Sequence, residues 1–172
     1  QLGSGAEFGV EMTYRVQETP GGIAQALGIC RQFCNGEDLA VCLGDNIFED
    51  DFTGLKFEGG AHIFLKPVND PERFGVAEVS FNEVISIEEK PTKPKSNLCV
   101  TGLYIYDKGV WDIIDNLEPS ERGELEITDV NNAYVKNNNM GYTTLDGYWS
   151  DAGTPDSLAQ ATELVKAALN KD

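Results

Sequence analysis

The sequence predicts an open, mixed α/β sheet, on three observations. Short apolar runs with strand character alternate with longer runs of helical period. Two of the short runs are separated only by the turn signal Ser80–Asn82, so a hairpin makes the sheet mixed rather than all parallel. The 172 residues, 41% of them hydrophobic, suffice for the core of one domain, here the whole of 1–172.

In chain order, Met12–Val16 suits a short strand, which Glu18-Thr19-Pro20-Gly21-Gly22 breaks before a helical pattern over Ile23–Phe33. Leu39–Leu43 is a continuous apolar run ended by Gly44-Asp45-Asn46, as expected of a strand covered on both faces. Residues 47–60 are too short for a crossover helix with both its loops, so a loop is expected. Ala61–Lys66, Phe74–Val79, Val84–Glu88 and Leu98–Tyr106 read as strands, with Asn69-Asp70-Pro71 turning the chain after the first. Helical patterns follow at Lys108–Leu117 and Glu124–Lys136, and Met140–Leu145 reads as a strand. A last helix runs over Pro155–Leu169, with Thr154 as N-cap and Pro155 at its first position.

Thirteen basic residues against 29 acidic ones give a net charge of −16. That excess disfavours partners recognised mainly through a phosphate backbone or an anionic leaflet, so no nucleic acid and no membrane partner is expected. A small anionic substrate stays open, provided a few cationic side chains or a bound cation reverse the potential inside a cleft. No run approaches the ~18 apolar residues of a membrane span, and Gln1–Val10 has no secretory pattern. A cytoplasmic protein is expected. Cys30, Cys34, Cys42 and Cys99 lie in apolar runs without a CxxC pair, which fits reduced, buried small hydrophobes. His62, in an apolar strand, reads as structural.

Open α/β sheets bind ligands beyond the carboxyl ends of their strands. Three runs qualify. Leu43-Gly44-Asp45-Asn46 delivers a carboxylate at a strand exit, although Gly-Asp is also ordinary turn chemistry. Trp149-Ser150-Asp151-Ala152-Gly153-Thr154 places a second carboxylate just before a capped helix, where an acid also complements the helix dipole. If the two strands end on one rim, Asp45 and Asp151 form, with substrate phosphates, the ligand set magnesium prefers. Ile87-Glu88-Glu89-Lys90-Pro91 offers a carboxylate for sugar hydroxyls and a lysine for a phosphate, or only a charged edge. In a regular strand Glu89 and Lys90 face opposite ways, so serving one ligand requires a bend near Pro91.

Seven runs in order, Gln17–Ala26, Leu43–Asn46, Val68–Val76, Glu88–Pro91, Val100–Tyr104, Gly123–Asp129 and Trp149–Thr154, resemble the motifs of the sugar-1-phosphate nucleotidyltransferases, most closely the glucose-1-phosphate thymidylyltransferases. The resemblance extends from about Leu2 to Leu169 and implies a Rossmann-like nucleotidyltransferase sheet. It also implies a magnesium-dependent reaction in which a sugar 1-phosphate attacks the α-phosphorus of dTTP or UTP, releasing pyrophosphate. By resemblance, Asp45 and Asp151 hold Mg2+, and Gln17, Pro20, Gly22 and Gly44 join Asp45 at the nucleotide. Gly75, Glu89, Gly102 and Trp149 surround the sugar, with Lys90 and Arg122 gripping its phosphate as the catalytic cations.

Family members begin with a strand and a G-x-G-T-R-L loop that cradles the triphosphate, and this sequence contains neither. An N-terminally truncated domain with impaired turnover is therefore expected. The alternatives are a non-catalytic sugar-nucleotide-binding remnant, one half of a split enzyme, and a uridylyltransferase-type domain. Two partner readings stay open, a homo-oligomer and a complementing N-terminal chain.

Overall fold

A computed structural model describes residues 2–169; residue 1 and residues 170–172 of the expected domain lie outside it. Its spine is the nine-residue strand formed by Leu98–Tyr106. The strands are β1 (Leu39–Cys42), β2 (Asn46–Phe48), β3 (Ala61–Pro67), β4 (Gly75–Ser80), β5 (Glu83–Glu89), β6 (Leu98–Tyr106), β7 (Met140–Thr144) and β8 (Trp149–Asp151). The helices are α1 (Ile23–Ile29), α2 (Arg31–Cys34), α3 (Val110–Asp115), α4 (Ile127–Lys136) and α5 (Pro155–Leu169).

Along one side of β6 runs β3, antiparallel from Ala61 opposite Tyr106 to Pro67 opposite Leu98. The other side is divided: β1 pairs with residues 103–106, and β4 meets it at Cys99. The hairpin β4–β5 and the parallel strand β7 complete an open, mixed sheet, as predicted. Phe81 and Asn82 turn the hairpin with φ of 50° and 63°, the paired positive values that a tight turn between twisted strands requires. Separately, β2 and β8 form a two-stranded antiparallel ladder.

The core joins Ile63, Leu65, Tyr104 and Tyr106 of the sheet to Leu27, Trp111, Val130 and Tyr134 of the helices. Tyr106 stacks on Tyr104 and Tyr134 with ring centroids 6.0 and 5.8 Å apart. Its buried hydroxyl donates to Asn131 Oδ1 at 2.6 Å, and Tyr134 donates to Asp107 Oδ1 at 2.8 Å, so neither is left unpaired. At the start of α5, Thr154 Oγ1 accepts from Ser157 N while Thr154 N donates to Ser157 Oγ, the reciprocal cap expected of that threonine.

Several local expectations are corrected. Met12–Val16 forms no strand: it pairs with no strand among the described residues, and Tyr14 and Val16 are exposed. The helix from Ile23 breaks at Cys30, just after Gly28, into α1 and α2. With a single partner, β1 is half-covered: Ala40 and Cys42 are exposed rather than buried, and of the four free cysteines only Cys99 is fully buried. Part of the loop expected at 47–60 belongs to β2, since Ile47 and Phe48 find partners in Ser150 and Trp149. The α4 helix starts at Ile127 rather than Glu124, because the chain before it turns through Gly123 at φ 75°. No helix among the described residues is long and apolar enough to cross a membrane.

Candidate active site

A cleft of about 580 Å³ opens where β1 and β5 end and β4 begins, over the middle of β6 and against the starts of α1 and α4 and the β2–β8 ladder. On one rim, the chain leaving β1 turns through Gly44, closed by Asn46 N donating to Leu43 O. Asp45 lines the cleft, as do its neighbours Leu43 and Asn46, while the space around Gly44 is open. Pairing of Asn46 with Asp151, extended by Ala152 N donating to Asp45 O at 2.6 Å, brings the two carboxylates expected to share a rim into one place.

Asn46 organises that rim. Its Nδ2 donates to Asp45 Oδ1, and its Oδ1 accepts from both Gly102 N and Trp149 Nε1, each at 2.8 Å. A Cβ on Gly102 would meet the Asn46 side chain at 2.5 Å, so the missing side chain there makes room for asparagine. Trp149, half-buried in the cleft wall, also packs edge-on against Phe74 at 5.4 Å. Above Phe74 lies Arg73, whose Nη1 reaches Asp70 at 2.8 Å and whose Nη2 reaches Asp151 Oδ2 at 3.0 Å. The hydrogen bond to Asp70, with the charge of Asp151 beside it, holds this guanidinium more firmly protonated than a free arginine.

The same cleft is lined by Glu89, Lys90 and Arg122. The bend required of Glu89 and Lys90 occurs within Lys90 itself, whose φ is 44° and whose N–H donates to Phe74 O. That left-handed residue, rare without glycine, turns the ammonium back to 4.0 Å from Glu89 Oε1. Glu89 Oε2 accepts from Thr128 Oγ1 at 2.7 Å. A Cβ on Gly75 would lie 3.3 Å from that threonine oxygen and 3.4 Å from Glu89 Oε2, so the glycine lets this pair close over it.

Arg122 is clamped by carboxylates. Its Nε and Nη2 both donate to Glu126, at 2.9–3.1 Å, while Glu124 and Glu89 stand 3.3 and 3.7 Å from Nη2. The Glu126 hydrogen bonds first, and then the three negative charges, keep it firmly cationic. The floor near α1 carries Gln17, whose Nε2 donates to Gly22 O and Gln25 Oε1. Gly22, at φ 95°, lies so close to Leu125 that a Cβ there would meet its carbonyl oxygen at 2.3 Å. Pro20 lines the same floor.

The lining holds three cationic side chains, Arg73, Lys90 and Arg122, against five carboxylates. Side chains alone therefore leave the cleft negative, and a bound cation is needed to reverse it. The donor chemistry at the Asp45–Asp151 rim suits a hard divalent ion: Asp45 Oδ2 and Asp151 Oδ1 accept no hydrogen bond from the described residues. Among those residues no group of three or more His, Cys, Asp or Glu gathers as a self-contained metal site, so the remaining ligands would be substrate oxygens and water.

Arg73, Asn46, Tyr104, Glu126 and Thr128 also line the cleft, and sequence reasoning gave none of them a role. Each lies inside one of the seven motif runs, and that membership was the available signal.

The pattern of the nucleotidyl transferase family matches residues 1–168. The glucose-1-phosphate thymidylyltransferase of Neisseria meningitidis serogroup A is 42% identical over 98% of this chain and 62% of its own length. That of Xanthomonas campestris pv. campestris is 46% identical over 96% of this chain and 59% of its own length. The chain thus spans about three-fifths of these curated relatives. A Bacillus anthracis crystal structure assigned the same enzyme name, in complex with a sucrose, superposes with a TM-score of 0.87 at 52% identity, covering 95% of this chain and 68% of that one. A UDP-glucose pyrophosphorylase complexed with UDP-glucose superposes at 0.80 with 20% identity, over 91% of this chain and 66% of that one, a likeness of fold alone.

Proposed function

The chain belongs to the nucleotidyl transferase family, and we propose that it serves nucleotidyl transfer from dTTP to glucose 1-phosphate, giving dTDP-glucose and pyrophosphate. One observation carries this reading: Glu89, Lys90 and Arg122 line a single cleft together with Asp45 and Asp151. Cations for a sugar phosphate and carboxylates for a divalent ion are thereby within reach of one substrate pair. The thymidylyl branch is favoured over the uridylyl one because relatives above 40% identity carry the former name, while the pyrophosphorylase neighbours share only 20–22% of residues.

In this proposal Glu89 accepts hydrogen bonds from sugar hydroxyls, already oriented by Thr128. Lys90 and Arg122 hold the sugar's phosphate, which sets its attacking oxygen in line with the nucleotide and spreads the charge of the displacement. Gln17, Pro20 and Gly22 receive the base, with the oxygen of the Gln17 amide left to accept from a pyrimidine N–H. Mg2+, held by Asp45 and Asp151, would supply further charge neutralisation at the phosphates when bound. A cytoplasmic setting belongs to the same proposal and accords with the four free thiols.

Calorimetric titration with glucose 1-phosphate and with dTDP-glucose, each with Mg2+, tests it, beside a pyrophosphate-release assay. Binding of both ligands, lost in Lys90→Ala and in Arg122→Ala, is the expected result; binding of neither overturns the reading. Pyrophosphate release separates a complete enzyme from a binding domain.

A second reading is favoured by the free edge of β1. Among the described residues β1 pairs only with β6, and a groove of about 670 Å³ runs beside it past Thr13, Arg15 and Phe33. That edge would accept a complementing strand. Slow amide exchange at Ala40 and Cys42 only when further polypeptide is supplied would support it; equal exchange with and without would not.

A further inference from the structure

We infer that Arg73 is the resident counter-cation of Asp151: it occupies this carboxylate until a divalent ion takes its place, and then turns to the anionic substrate. The inference rests on the proposed metal role of Asp45 and Asp151 and goes beyond it, to a residue with no assigned part in the reaction.

The 3-10 turn Pro71–Arg73, closed by Phe74 N donating to Pro71 O, delivers Arg73 to the cleft just before β4. Its guanidinium is fixed from three directions. Nη1 donates to Asp70 Oδ2 at 2.8 Å, Nη2 to Asp151 Oδ2 at 3.0 Å, and the central carbon lies 4.9 Å from the centre of the Phe74 ring. Asp151 is the more enclosed partner, with 24% of its side chain exposed against 42% for Arg73. A carboxylate beside other carboxylates favours whichever cation is nearest, and here that cation is the arginine.

The exchange is built into the geometry. Asp70 and Phe74 hold Arg73 without help from Asp151, so a divalent ion that enters at the free Asp151 Oδ1 and draws on that carboxylate's charge loosens the contact at Oδ2, freeing one end of the guanidinium and leaving the rest in the cleft. The freed donors face the same space as Lys90 and Arg122, where the substrate phosphates are proposed to lie. Arg73 thus opposes metal binding and favours anion binding. Loss of a residue that merely braced the loop would weaken both.

The test is direct Mn2+ binding, followed by electron paramagnetic resonance of the free ion, on the folded wild type and on Arg73→Met, Asp151→Asn and the double variant. Arg73→Met is expected to bind Mn2+ about 5-fold more tightly than the wild type, the order of effect of removing one charge at a partly exposed site. It is also expected to bind glucose 1-phosphate about 5-fold more weakly. In the Asp151→Asn background the Mn2+ gain should vanish. Should Arg73→Met not fold, Arg73→Gln, which also removes the charge and keeps a polar side chain, should still bind Mn2+ more tightly. Unchanged or weaker Mn2+ binding in the folded variant, while Asp151→Asn abolishes it, overturns the inference alone. No Mn2+ binding by the wild type overturns the metal reading beneath it.

Discussion

Lys90 Nζ stands 4.0 Å from Glu89 Oε1 although consecutive residues of a strand face opposite ways, and the left-handed backbone of Lys90 is what brings them together. A lysine in that conformation carries a cost of roughly 1–2 kcal/mol that glycine does not. Lys90→Gly should therefore be more stable than Lys90→Ala by about 1 kcal/mol in urea unfolding. Both should lose at least about tenfold in affinity for glucose 1-phosphate, the effect of removing a charge-assisted phosphate contact. Equal stability of the two variants would refute the strain; retained affinity would remove Lys90 from the phosphate site.

Arg122 presents the reverse design, a cation held in place by its own carboxylates. Glu126 takes the Nε–Nη2 side of the guanidinium, leaving Nη1 for a ligand. Glu126→Gln keeps the shape but weakens the clamp, so Arg122 should reach the phosphate in more orientations. Affinity for glucose 1-phosphate should fall about 3- to 10-fold, with a loss of stability of about 1–2 kcal/mol from the broken charge-assisted pair. Tighter binding would mean that Glu126 competes with the phosphate instead of aiming its receptor.

Gly102 tests the other rim. A methyl group there would strike the Asn46 side chain at 2.5 Å, and Asn46 supports both Trp149 and Asp45. Gly102→Ala should destabilise the fold by about 1–3 kcal/mol, as overpacking does, and blue-shift or quench Trp149 relative to the wild type. The double variant Gly102→Ala with Asn46→Ala removes the clash and should recover part of the stability; no recovery would place the strain elsewhere.

The strands β3 to β7 and their hairpin were legible because each is a run of local character bounded by its own turn residues. Met12–Val16 misled because its residues suit a strand locally, whereas forming one needs a ladder of hydrogen bonds, and this run makes none with the described strands. The ladder of β2 with β8 escaped because its partners lie about a hundred residues apart and each strand is only three residues long. At the site, Asp45, Asp151, Glu89 and Lys90 could be found from strand ends alone. Arg73 and Asn46 could not, since their importance lies in what they touch: an arginine after a proline turn and an asparagine after an aspartate look like ordinary loop chemistry until Asp151 and Trp149 arrive beside them.

His62 gives a pH dependence of known sign. Half-buried on β3, with its Nε2 2.9 Å from Thr143 Oγ1, it is held below its ordinary pKa of 6.5 by burial, which disfavours the charged imidazole. Well above pH 6.5 folded and unfolded chains both carry neutral histidine, and the group has no effect on the balance between them. As the pH falls below 6.5 the unfolded chain takes up a proton that the folded chain resists, so stability declines until the folded pKa is passed. The melting temperature of the wild type should therefore drop between pH 7 and pH 5 by more than that of His62→Gln, which cannot titrate. His62 lies in the sheet away from the cleft lining, so binding of glucose 1-phosphate at pH 7 should be unchanged in the variant. Parallel melting curves for the two proteins across this range would show that the imidazole titrates alike in both states, and that burial does not restrain its charge.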